Sequence, residues 1–411
     1  MATPTPNGTK EPLPVLIAGG GCVGLFLALL LCQSASIPHK IIVVEPNTPE
    51  PTDTRAMAHQ PIIFPFFAEA GLMPELSKLG TFSSGICFRK SVKNGSELIA
   101  GKQFKEGEKA QLLLPQWKFQ DLLIRKVCAQ TARGEVRMGS KVTGCEEREK
   151  SVVVKVADVD GEEEEIEAEY LIGADGAKST VRKLLGTSLE GETLDAQLVA
   201  TDIRFDFHKY GFYDANFVID PVNYGLIGRI DNEGLWRVSY GVPLDTSEEE
   251  LRKSVDEKLK HMLPEEGKAG YQIQRIAPYK AQQRCAETFW KGRVGLCGDA
   301  AHLTNPYAGL GLASGIADAA SLSSVLIRVL SSQSADSAKL LSSWSDARRQ
   351  KFLAVVDKPS RMAYMRVRTN VDSQENVEQL LQKDPLVGAL KKGMPMMPPS
   401  LATSGPELEG W

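Results

Sequence analysis

Paired cysteines are missing from this 411-residue chain. The seven it has (Cys22, Cys32, Cys87, Cys128, Cys145, Cys285, Cys297) are odd in number and lack C-x-x-C spacing, which speaks against zinc and dithiol sites. In apolar surroundings they read as small buried hydrophobes of a reducing compartment, so the expectation is a cytoplasmic protein without disulfides or a metal. Basic excess is missing too: 48 Lys and Arg against 52 Asp and Glu give a net charge of -4, no footprint for nucleic acid. Leu13 to Cys32 approaches the roughly 20 residues of a bilayer span, but Pro12, Pro14 and four glycines between Gly19 and Gly24 break it. No basic n-region or small-residue cleavage site marks a signal peptide. No membrane span is expected, and no internal repeat is found.

What is present is the composition of an ordinary globular protein, 42% apolar and 24% charged, long enough for two or three domains. After a tail at residues 1–11, expected to be disordered, Val15 to Ala18 reads as a buried strand. Cys22 to Gln33 reads as a helix and Lys40 to Glu45 as a second strand, a right-handed βαβ unit. Trp117 to Thr131 is helical by its apolar face, and Val136 to Val142 and Ser151 to Ala157 are strands. The latter pairs through the Asp160–Gly161 turn with Glu165 to Ile172, whose acids mark a solvated edge.

From Leu198 to Val242, short β-branched and aromatic segments suggest a separate, mostly antiparallel sheet. Ser247 to Met262, Ile316 to Ser331 and Leu340 to Val356 are helices, and Lys391 to Trp411 reads as a loosely held tail. The predicted fold is therefore α/β: a Rossmann-like domain over 12–190 and 281–335, with 62–115 leaning toward the substrate side. A sheet domain over 191–280 is inserted in it, and C-terminal helices and tail follow over 336–411.

Three turns carry the chemistry. Gly19, Gly21 and Gly24 form G-x-G-x-x-G between strand and helix, with Glu45 ending the next strand. The glycines admit a pyrophosphate to the helix N-terminus, and the acid suits a ribose. Gly173 Ala174 Asp175 Gly176 with Ser179 and Arg182 is the second. Taken alone, it reads as a tight turn whose Asp175 caps a helix. The third runs from Arg293 to Asp318. There Asp299 follows a strand and can accept from a ribityl hydroxyl, and the Pro306 to Gly311 loop leads into a helix start that would favour negative charge on a reduced flavin.

Together these turns resemble the class A flavoprotein monooxygenases, the para-hydroxybenzoate hydroxylase-like group of GR2-type FAD enzymes, over Pro14 to about Ser331. The resemblance implies that Gly19, Gly21, Gly24 and Glu45 hold the ADP half of FAD, with Arg55 near the flavin and Gln116 on the pyrophosphate. It gives Asp175 and Arg182 to a turn serving FAD and the pyridine nucleotide, Asp299 to the ribityl chain, and Gly309, Gly311 and Leu312 to the flavin ring. Ala313 departs from the Asn common there, which touches a side-chain contact and leaves the backbone ones. The implied chemistry is reduction of FAD by NAD(P)H and addition of O2 as a C4a-hydroperoxide. Oxygen then passes to a hydrophobic aromatic, polyketide or indole-type small molecule in specialised metabolism.

On the inserted sheet, Arg204, Tyr224 and Arg237 are the candidates for holding an anionic oxygen or passing a proton, although each residue type is more often structural. His59 and His302 read as core histidines. A related FAD-dependent reductase without oxygen transfer, or a non-catalytic flavin-binding protein, remains an alternative. The five tryptophans stand isolated, against the W-x-W-x-I-P segment of flavin halogenases.

Overall fold

The structure, a computed structural model, describes residues 11–52, 54, 57–394 and 399–411. Arg55 and all but the last residue of the expected N-terminal tail lie outside the described residues.

The nucleotide-binding half is built on a six-stranded sheet in the order Trp290–Lys291, Val294–Leu296, Tyr170–Gly173, Val15–Ala18, Ile41–Glu45, Gly134–Met138. All pairings are parallel except that of the short Trp290–Lys291 strand. Parallel strands are covered on both faces, which is why Val15–Ala18 and Tyr170–Gly173 are uninterrupted buried runs. The chain lays Ile41–Glu45 and Gly134–Met138 on one side of Val15–Ala18 and returns to lay Tyr170–Gly173 on the other. Strand order thus reverses at Val15–Ala18, and a crevice for a ligand opens beyond the C-terminal ends of such strands. The three turns singled out in the sequence follow the C-terminal ends of three adjacent strands: Val15–Ala18, Tyr170–Gly173 and Val294–Leu296.

The second sheet has eight strands. Leu189–Arg204 and Gln272–Ala286 pair along their length and join the two halves, with His302–Leu303 on the outer edge of Gln272–Ala286. Leu235–Pro243, Gly225–Arg229 and Ala215–Ile219 follow, then Gly85–Lys90 and Leu98–Gln103 from the 62–115 segment. All of its pairings are antiparallel except that of Ala215–Ile219 with Gly85–Lys90. One face, with Val199, Ile203, Trp236, Val238 and Tyr240, packs on Leu251, Val255 and Leu259 of the helix Glu248–Met262. That helix starts on a capping box of Ser247 and Glu250. The C-terminal helices Gln374–Lys383 and Pro385–Lys391 bury Val377, Leu380, Val387 and Leu390 against Phe88 and Ile219.

Four local expectations need correction. Val136 to Val142 is two strands, Gly134–Met138 and Lys141–Glu147, separated by a turn at Gly139, whose φ of +75° suits glycine. Glu165 to Ile172 divides at Glu169: Glu163–Ala168 edges a three-stranded sheet, while Tyr170–Gly173 enters the parallel one. The helix expected to end at Val356 passes through a π-helical stretch, Leu353–Asp357, into Lys358–Val367. The segment at 399–411 is docked, because Leu401 and Leu408 are buried in the main core and Trp411 packs against it.

Gly311–Leu330 is the single helix among the described residues long and apolar enough to span a membrane, and most of it is buried inside the protein. Cysteines 22, 32, 87, 285 and 297 are buried, and all seven are free thiols.

Candidate cofactor and substrate site

Helix starts converge on the crevice. Cys22–Gln33 begins at Gly21, which has no side chain to cap it. Gly311–Leu330 and Gln116–Cys128 likewise have no side-chain cap. The N–H groups of a first helical turn and the helix dipole make such a start an anion site. The starts meet because small residues let them: a Cβ on Gly315 would lie 2.6 Å from Val23 Cγ2 and 3.1 Å from Gly298 Cα. Gln116 is half-buried at the start of its own helix, and its carbonyl oxygen lies 4.0 Å from Cys22 Sγ.

Two glycines of the first turn cannot be replaced. Gly19 has φ +106°, and a Cβ there would meet Ala174 O at 2.3 Å; on Gly24 it would meet Gly19 O at 2.1 Å. Gly21 has nothing within 4 Å on that side, so open space lies above the helix start. Glu45 Oε2 accepts from the Gly20 N–H at 2.8 Å, and Oε1 accepts from Asn47 N–H at 2.9 Å. The acid therefore braces the glycine turn that it faces. Gln120, which sequence reasoning missed, donates from Nε2 to Gly20 O at 2.6 Å.

In the second turn, Asp175 Oδ2 accepts from Thr180 N–H (2.7 Å) and Val181 N–H (3.1 Å), and Oδ1 accepts from the Ser179 hydroxyl. That carboxylate is engaged in capping the helix Thr180–Leu185. Arg182 Nη1 donates to Ala300 O at 2.8 Å and so ties the second turn to the third.

In the third turn, Asp299 is exposed while Gly298 and Ala300 on either side are buried. The loop after it holds Gly309 at φ +65°, where a Cβ would meet Gln60 Nε2 at 2.5 Å. Gln60 Oε1 in turn accepts from Gln111 Nε2 at 3.2 Å, a second positioning pair absent from the sequence reading. Gly311 and Leu312 are the first two residues of the helix, half-buried at its mouth, and Ala313 points into the core.

The face of the eight-stranded sheet opposite the Glu248–Met262 helix looks toward this loop. The register puts Arg237 beside Gly228 and Asp202, Asp202 beside Arg275, Ser239 beside Leu226 and Ala200, and Ala200 beside Ala277. Side chains two apart share a face, so Ala200, Ser239 and Ala277 form a small-residue floor between Tyr279 at one end and Arg237 at the other. Met57, from the nucleotide half, reaches Gly228. Tyr307, on the cofactor loop, meets Tyr224 with ring centroids 6.1 Å apart.

The sheet candidates separate. Arg237 is buried: Nε donates to Asp202 Oδ1 at 2.8 Å and Nη2 to Thr54 O at 2.7 Å. Arg275 adds a second cation 3.7 Å from Asp202, so among the described residues two cations face one carboxylate at this end of the face. Tyr224 is buried over Gly241, and burial raises its phenol pKa. Arg204 is exposed in a surface groove with His208 and Arg229, its Nη1 on Glu233 O at 2.6 Å. Tyr279, not singled out from sequence, is 38% exposed. Burial nevertheless pushes its phenol up to about 12, with Arg237 opposing. The phenol therefore stays protonated, and its hydroxyl is a donor at neutral pH.

His59 is a core residue: Nε2 lies 3.3 Å from Leu114 O between the rings of Phe67 and Phe119, and burial pulls its pKa down to about 4. His302 is buried against the Phe352 ring.

Comparison with known proteins agrees with this geometry. The model of the FAD binding domain family matches residues 12–359. The chain belongs to this family of FAD-dependent class A flavoprotein monooxygenases. The flavoprotein is 34% identical over 344 residues to para-nitrophenol 4-monooxygenase of Pseudomonas sp. (strain WBC-3), covering 82% of this chain and 83% of that protein. It is also 34% identical over 349 residues to 6-hydroxy-3-succinoylpyridine 3-monooxygenase of Pseudomonas putida, covering 83% and 86%. Among solved structures, p-nitrophenol 4-monooxygenase from Pseudomonas putida DLL-E4 superposes with a TM-score of 0.84 at 30% identity, covering 93% of this chain and 97% of that one. The flavoprotein is an oxidoreductase with FAD as its cofactor. The cradle fits that cofactor: space is open at Gly21, above a helix start whose dipole suits a phosphate.

Proposed function

We propose that this flavoprotein hydroxylates a single-ring phenol or hydroxypyridine, with NAD(P)H as reductant and O2 as oxygen donor. One oxygen atom enters the ring, the other leaves as water, and the two electrons come from the nicotinamide. The observation that carries the reading is the position of the small-residue floor Ala200, Ser239 and Ala277, flanked by Tyr279 and Arg237, on the sheet face against which the cofactor loop packs. Two relatives named for hydroxylated or nitrated six-membered rings support it.

Bound FAD supplies the redox chemistry that passes electrons from nicotinamide to O2 and delivers oxygen to the ring. The chain's own residues do the rest. Gly19, Gly21, Gly24 and the start of Gln116–Cys128 hold the phosphates, Glu45 and Asp299 accept from hydroxyls, and the backbone of Gly309, Gly311 and Leu312 takes the ring. Asp175 and Arg182 act by fixing the second turn against the third. On the sheet, the two cations Arg237 and Arg275 facing Asp202 favour an ionised substrate hydroxyl, which makes the ring more electron-rich. Tyr279, at the other end of the floor, offers a hydrogen-bond donor to a second polar group on the ring. Phe217 and Leu226, on the same face, exclude water.

Purified protein is expected to be yellow, and to consume NADPH and O2 together when 4-nitrophenol or a related phenol is added, with a hydroxylated product by mass spectrometry. NADPH oxidation without O2 uptake would favour a flavin reductase. A bound flavin that no nicotinamide reduces in the presence of any phenol would favour a binding protein.

A further inference from the structure

Asp318 and Arg348 have no accessible surface, and neither touches the cofactor crevice. A buried carboxylate is retained where it is paired and hydrogen-bonded. Asp318 Oδ2 accepts from the Gly298 N–H at 3.0 Å and faces His302 Nε2 at 2.6 Å; Oδ1 accepts from Arg348 Nε at 2.7 Å. Arg348 Nη2 donates to Ser314 O at 3.4 Å, in the Gly311–Leu330 helix, and the rest of the guanidinium faces the C-terminal segment. Its Nη1 donates to Leu401 O at 2.7 Å and to Thr403 Oγ1 at 3.0 Å.

A continuous chain of charge-assisted hydrogen bonds therefore runs from 401–403, through Arg348 and Asp318, to Gly298. Gly298 has φ +61°, and its peptide leads directly into Asp299. The far end is anchored independently: Ser334 Oγ donates to Gly410 O at 2.7 Å, the Arg328 guanidinium lies 4.8 Å over the Trp411 ring, and Leu401 and Leu408 are buried.

We propose that Asp318 and Arg348 are positioning residues for the Gly298–Asp299 turn, and that the 399–411 segment, by holding Arg348, is a remote part of the FAD site. The proposal rests on the FAD assignment. Each bond in this chain has a charged partner, but Asp318 holds the Gly298 N–H directly, whereas Thr403 acts through Arg348, whose Nη1 also keeps Leu401 O, so loss of the Thr403 hydroxyl costs less.

The test uses the whole chain stripped of flavin and titrated with FAD, following flavin fluorescence well below the melting temperature of each apoprotein. Asp318→Asn is expected to raise the Kd for FAD by about tenfold or more and Thr403→Val by about threefold. Thr403→Ser, which keeps the hydroxyl, should bind as the parent does. Parent-like affinity in a folded Asp318→Asn protein would overturn the proposal, and parent-like affinity in Thr403→Val would remove the 399–411 segment from it. Should Asp318→Asn fail to fold, the Thr403 pair decides, since neither exchange buries an unpaired charge. A parent protein that takes up no FAD would instead sink the cofactor assignment itself.

Discussion

Gly315 sits against Gly298 and Val23, so the helix that carries the flavin loop crosses the first helix with only the Val23 side chain between them. A Cβ at 315 would be 3.1 Å from the Gly298 backbone and 2.6 Å from Val23. In an exposed helix, Gly→Ala would add up to about 1 kcal/mol through helix propensity. Here overpacking should win, with a net loss of about 1–3 kcal/mol. Gly315→Ala is thus expected to lower the melting temperature and to weaken FAD binding as the two helix starts move apart. A higher melting temperature would show that the close approach does not govern this position.

Gln120 offers a milder perturbation of the same cradle. Its amide holds Gly20 O, and Glu45 holds the Gly20 N–H, so the peptide between Gly19 and Gly21 is clamped from both sides. Gln120→Leu keeps the bulk and loses one hydrogen bond, worth about 1 kcal/mol. Equilibrium titration should show FAD affinity falling about three- to tenfold, with the circular dichroism spectrum unchanged.

The cradle's glycines and acids were legible in the sequence because each answers a local backbone demand. A positive φ at Gly19 or a helix start at Gly21 selects its residue type within a few positions. Gln120, Gln60 with Gln111, and Asp202 were not legible, since their partners lie far off in the chain; Gln120 and Gly20 are 100 residues apart. The break at Glu169 was hidden because apolar residues alternate straight through it while the chain changes sheets. The docking of 399–411 rests on three anchors, Leu401, Leu408 and Trp411, too few to show a period. Tyr279 could have been found by extending the alternation of the sheet strands to Gln272–Ala286, where it shares a face with Ala277 and Arg275.

On the substrate face, three exchanges should give three different results. Tyr279→Phe keeps the ring and loses the donor, so turnover of a phenol should fall about tenfold with FAD affinity unchanged. Arg237→Ala leaves Asp202 buried beside a more distant Arg275. The expected cost is about 3–5 kcal/mol of stability as well as activity. Arg204→Ala removes an exposed group bonded to one carbonyl, and coupled NADPH and O2 consumption should match the parent. Impaired turnover in Arg204→Ala with Tyr279→Phe unaffected would place the substrate at the outer groove instead.

The last expectation concerns acid. His59 is fully buried, its Nε2–H on Leu114 O and its Nδ1 without a partner, and its pKa falls from 6.5 to about 4. The folded protein therefore binds fewer protons than the unfolded chain between these values. The stabilisation is complete above pH 6.5 and is lost progressively as pH falls toward 4, on the order of 3 kcal/mol in all. Burial alone would raise the pKa of Asp318, but His302 and Arg348 hold it below 3.8, so its contribution disappears only in stronger acid. Urea unfolding between pH 7 and 4 should show stability falling as pH falls in the parent and a flatter dependence in His59→Leu, which keeps an apolar side chain between Phe67 and Phe119. Equal slopes in the two proteins would mean that His59 is not the residue taking up the proton.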